Sequence, residues 1–180
     1  MFSTVENYWI KGTPKEQLMD CLTAYKKENL LTLAENQLMP MKKSHTKSKI
    51  ATALAEQLRH NFKITVDQLT ETERHILTAY ASGNLPEELT EPQQAAQATL
   101  VAIGYVYLFK ENQQITPIVP KELAEQLLEN ESEKDTDNWF LTTKTTVETI
   151  YGRCELSHLV TAWNQHASQP ITMSEAAKFV

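Results

Sequence analysis

The chain is predicted to be mainly α, built of small helical units with one winged-helix-like β-hairpin in the middle. Three observations lead there. Only four glycines occur in 180 residues, while Leu, Ala, Glu, Gln and Lys are abundant, a bias that favours helix. Capping boxes stand at Thr13–Glu16, Thr70–Glu73 and Thr172–Glu175, each marking a helix start. A single pair of apolar runs rich in β-formers, residues 105–109 and 115–119, carries the strand signal.

The elements follow in order. Pro14 suits the first helical position after Thr13, where its missing N–H costs nothing, and Leu18, Leu22 and Tyr25 then share one face. Leu30, Leu33, Ala34 and Leu38 space a second helix, which Pro40 is expected to stop. Ile50, Leu54, Leu58 and Phe62 stripe a third, capped by Ser48 or Thr46. After Thr70 come Ile76, Leu77 and Tyr80, and Ser82-Gly83-Asn84 ends that helix by tolerating positive φ. Residues 85–89 read as a turn or one helical turn. Thr90-Glu91-Pro92-Gln93 opens the next helix, with Ala96, Leu100 and Ile103 facing inward and Gly104 closing it. Residues 110–114 are the polar connection of the hairpin, and Pro117 places its second strand at an edge. Pro120 opens a helix through Leu123, Leu127 and Leu128.

Residues 129–138 hold five acids and no apolar side chain, the composition of a linker. Phe140, Val147 and Ile150 then predict a helix ending at Gly152, with Leu156, Leu159, Val160 and Trp163 on its partner. The last capping box has only five residues after it, too few for a self-supporting helix. That points to a piece of a longer protein or to a frayed end. The expected organisation is therefore a helical unit over 1–66, a hairpin-containing unit over 67–130, an acidic linker over 131–138 and a C-terminal helical unit over 139–180.

Charge is divided unevenly along this series. Residues 11–63 carry ten Lys and Arg against five acids, whereas residues 64–180 carry seven against seventeen. The positive excess gathers in Met39-Pro-Met-Lys-Lys-Ser-His-Thr-Lys-Ser-Lys49, which has four lysines and no acid. A basic loop on a chain of net charge −6 marks a local anion site, because the whole-chain charge repels phosphate. The candidate contacts are Lys42, Lys43, Lys47 and Lys49, assisted by N–H groups at the helix start. The loop has no arginine, so bidentate base readout is not indicated. A solvated loop capping a helix pair is the plainer reading of the same residues.

Leu30-Leu-Thr-Leu-Ala34, the basic loop and Lys47-Ser-Lys-Ile50 through Leu54 together resemble the helix–extended loop–helix module of SAP domains and of the N-terminal region of Rho-type termination factors. The resemblance covers about a sixth of the chain, and the loop here is longer than the family's and has no glycine. It implies a nucleic-acid-binding loop. Residues 70–128 are similar in layout to a winged helix, and the joined arrangement resembles that of uncharacterised bacterial proteins, which implies no established activity. The helix at the recognition position, residues 91–103, has no basic residue, and the wing offers only Lys110 beside Glu111. Such a helix cannot offset phosphate repulsion in a major groove, so this unit reads as structural or protein-binding.

Other chemistry finds less support. Cys154 and His158 have helical spacing, with His166 further on, but no Cys-x-x-Cys pair exists and no metal is expected. Cys21 and Cys154, far apart in sequence, argue against a disulfide framework and for the cytoplasm. No run approaches the roughly 20 apolar residues of a membrane span, and no signal peptide is evident. Without a nucleophile elbow, a phosphate-cradling glycine loop or a His-Glu-x-x-His pair, no enzyme and no cofactor are expected. The pair Glu87-Glu88 reads as solvated turn. Tyr105, Tyr107 and Phe109 share a strand face suited to base stacking, yet a hairpin packed on helices needs them for its core. Phe2, Tyr8 and Trp9 are expected to pack on the first helices or on a partner.

The leading expectation is a non-enzymatic protein that binds DNA or RNA backbone through Lys42–Lys49, its acidic remainder making assembly contacts. The alternative is a protein-interaction or scaffold module without nucleic-acid binding.

Overall fold

The computed structural model describes residues 5–167 and 169–180, leaving aside the side chains of residues 133 and 134. Phe2 lies outside the described residues. The chain is mainly helical, with a small three-stranded mixed sheet. It divides into two compact units, Met1–Leu128 and Glu129–Val180.

The first unit opens with a 3-10 turn, Val5–Tyr8, and a strand, β1, Trp9–Lys11. Five helices follow: α1 (Leu18–Ala24), α2 (Lys27–Asn36), α3 (Lys47–Gln68), α4 (Glu71–Ala81) and α5 (Glu91–Ala102). The hairpin β2 (Tyr107–Glu111) and β3 (Gln114–Ile118) completes the sheet before α6, Lys121–Tyr151. The central strand is β2, parallel to β1 (Ile10 opposite Phe109) and antiparallel to β3 (Leu108 opposite Pro117). Pro117 accordingly sits on an edge, where its missing donor is harmless.

Side chains from Tyr8 to Leu127 form one core. The expected boundary at residue 66 therefore does not separate two cores; α3 runs across it. All five residues 105–109 are buried, the last three of them in the central strand β2. Tyr105 packs edge-on against Phe62 at 4.8 Å and Tyr107 against Tyr25 at 5.4 Å. They are core and unavailable to nucleic-acid bases.

Local signals are met at most helix ends. Thr70 and Glu73 make the reciprocal capping box of α4. The expected box at Thr13–Glu16 does not form. Instead Thr13 donates to Glu111 (3.1 Å), and the first N–H of α1, that of Leu18, donates to the Glu122 carboxylate (3.0 Å). A carboxylate 104 positions away thus replaces the local cap. The hairpin connection is also tighter than expected. Asn112 and Gln113 alone turn the chain, both at positive φ (48° and 69°), the backbone of a type I′ turn.

α2 stops before Pro40. Leu38 takes φ 54° while its N–H donates to Glu35 O and the Met39 N–H to Ala34 O, a Schellman closure. The leucine, expected on the apolar face, is instead 91% exposed. A left-handed leucine is strained, so Leu38→Gly is expected to raise stability by about 0.5–1 kcal/mol. A urea midpoint that falls on this substitution would contradict the assignment.

The second unit comprises the remainder of α6, α7 (Leu156–His166) and α8 (Met173–Ala176). Residues 131–138, expected as a linker, lie inside α6. Glu is a good helix former, and neither glycine nor proline interrupts Lys121–Tyr151. The core of this unit is Phe140, Leu159, Val160 and Ala176, with Trp139 and Trp163 partly buried against it. Ile150 and Leu128, part of the apolar spacing that predicts these helices, are 64% and 44% exposed. The closing segment is docked rather than frayed: Thr172 and Glu175 form the expected box, and Phe179 stacks on Phe140 at 5.7 Å.

Candidate nucleic-acid interface

The basic loop is held by its neighbours. Leu30, Leu33 and Ala34 of α2, and Ile50, Leu54, Leu58 and Phe62 of α3, are fully buried, so both flanking helices are fixed. Met39 and Met41 pack partly against the same core. Within the loop the His45 N–H donates to Lys42 O (3.0 Å), and His45 Nδ1 lies 3.4 Å from Met41 Sδ. Thr46 caps α3, its hydroxyl accepting from the Lys49 N–H at 3.3 Å.

Lys27, the first residue of α2, donates its ammonium to Lys43 O at 2.7 Å. The loop therefore passes within reach of the Lys27 side chain at the beginning of α2. Lys42 and Lys43 lie in the loop and Lys47 and Lys49 in the first turn of α3, all four exposed. Among the described residues none of the four has an acidic partner, and the first turn of α3 contains no acid. Two lysines in the first turn also oppose the positive end of the helix dipole, an arrangement that costs stability unless an anion is present. The contribution of Lys27 was missed in the sequence. Its only signal is the Lys26-Lys27 pair, which nothing local connects to a loop sixteen residues on.

The remaining candidates separate. Lys110 of the hairpin sits 4.2 Å over the Trp9 ring, a cation–π contact that engages its charge internally. Glu87 and Glu88 are exposed. Among the described residues no three His, Cys, Asp or Glu side chains converge as a metal site, and His158 and His166 are exposed. Both cysteines are free. Cys21 is buried with its thiol against Lys15 O at 3.2 Å, and burial, reinforced by Glu122 and Asp20, pushes it up to about 12. At pH 8 only about one Cys21 in ten thousand is then thiolate. Alkylation of the native protein is expected to mark Cys154 and spare Cys21, read by peptide mass; equal labelling would show that Cys21 is not enclosed.

No helix among the described residues is long and apolar enough to cross a membrane. No family model, curated protein or solved structure matches the chain.

Proposed function

We propose that this is a non-enzymatic, cytoplasmic nucleic-acid-associated protein that holds the phosphate backbone through Lys42, Lys43, Lys47 and Lys49. One observation carries the reading: four exposed lysines without acidic partners fall within the loop before α3 and the first turn of that helix, which holds no acid. The N–H groups of that turn other than Lys49's, which Thr46 caps, add donors for an anion. The SAP-like order of helix, extended loop and helix supports it, as do two free thiols for the cytoplasmic placement. Contacts are to backbone, without arginine to read bases.

The test is fluorescence anisotropy of labelled duplex and single-stranded oligonucleotides across a salt series. Four phosphate contacts give a slope of log K on log salt of roughly −3.6 for duplex DNA and about −2.8 for single strands. The ratio of the two affinities names the target class. No binding at low salt would overturn the reading. It would leave the interaction module, which has its own support in Leu141, Ile150 and Tyr151, exposed by 60%, 64% and 76% along α6.

A further inference from the structure

The second unit holds a cavity of about 630 Å³ walled by Asp135 and Trp139 of α6, Trp163 and His166 of α7, and Ile171. That volume lies in the range of small-molecule sites. The two indoles stand 5.1 Å apart at 67°, meeting as a corner rather than a stack. The Trp163 N–H donates to Gln169 O at 3.0 Å, which fixes the ring and uses its one polar atom. With that polar atom engaged, the ring lines the cavity as an aromatic surface, and an indole face is electronegative.

Asp135 stands four residues before Trp139, one turn away on the same side of α6. It is exposed and has no basic partner among the described residues. A carboxylate beside two indoles is complementary to a cation that has apolar surface of its own. The chain shows the same preference elsewhere, since Trp9 is covered by the Lys110 ammonium. Among the described residues no such internal cation covers Trp139 or Trp163.

We propose that Asp135, Trp139 and Trp163 form a receptor for a small methylated ammonium compound. Its methyl groups would lie in the indole corner and its charge would face the Asp135 carboxylate. His166 stands at the wall, where it offers a polar contact to the ligand's remaining part. The site is independent of the lysine loop, which belongs to the other unit.

The test is titration of the full chain with choline chloride at constant ionic strength, following the indole N–H resonances. The neutral isostere 3,3-dimethylbutan-1-ol is titrated in parallel. Choline is expected to shift Trp139 and Trp163 saturably and leave Trp9 unmoved. The isostere should bind about tenfold more weakly, and Asp135→Asn, at an exposed position, should weaken choline by a similar factor. No saturable shift would overturn the proposal. So would equal affinity for the isostere, or full affinity in the folded Asp135→Asn variant.

Discussion

Replacing Lys42, Lys43, Lys47 and Lys49 together by glutamine is expected to lower affinity for duplex DNA by about three orders of magnitude at about 0.1 M salt. The size follows from counterion release. Each neutralised phosphate contributes a slope near −0.9, and the four together are worth about 3.6 logarithmic units between 0.1 M and 1 M salt. The loss should therefore shrink as salt rises and vanish near 1 M. Stability should move the other way. All four side chains are exposed, and what holds the loop is left intact: the Lys27 ammonium bonds the carbonyl of residue 43, and Thr46 still caps α3. Removing the charges of Lys47 and Lys49 from the positive end of α3 relieves roughly 0.3–1 kcal/mol each. A variant that binds less and melts higher carries the mark of residues kept for function. A variant that melts lower and keeps its salt slope would show that these lysines serve the fold and not a phosphate.

The proposed lysine site is legible because it is local: its four cations fall within eight residues, and the stripe Ile50, Leu54, Leu58, Phe62 that fixes the following helix is read at one period. Three features were not readable, each for a physical reason. β1 is three residues long and gains its meaning from a parallel partner almost a hundred positions away, opposite Leu108, Phe109 and Lys110. The start of α1 is set by Glu122, so the attractive capping box at Thr13 was a local preference overridden by a tertiary one. The acidic stretch, whose composition reads as linker, is helical because Glu favours helix and neither Gly nor Pro interrupts Lys121–Tyr151, and the two compact units divide at its start. The indole corner was out of reach for a different reason. Trp139 and Trp163 lie on separate helices, and their 67° angle is a property of packing and not of spacing.

Gly104→Ala is expected to destabilise the first unit by about 2–5 kcal/mol. Gly104 closes α5 at φ +85°, its N–H bonded to Val101 O and the next N–H, that of Tyr105, to Leu100 O. An alanine there carries about 1–2 kcal/mol of left-handed strain. Its methyl would also meet Leu33 Cδ1 at 2.9 Å and Leu58 Cδ1 at 3.3 Å. Both leucines are fully buried and cannot swing into solvent, so overpacking adds about 1–3 kcal/mol. The same corner seats the C-terminal end of α2, where Asn36 and Gln37 donate to Ala102 O and Ile103 O at 2.7 and 2.6 Å. The turn after α5 is thus where the helix pair carrying the lysine loop is joined to the sheet. Urea unfolding measures the loss, and a double-mutant cycle with Leu33→Ala separates its two parts. Truncating Leu33 should recover the steric portion and leave the strain. Because no lysine is touched, the folded fraction should bind nucleic acid with undiminished salt slope. A Gly104→Ala protein within about 0.5 kcal/mol of the parent would mean that Leu33 of α2 and Leu58 of α3 do not close on this turn.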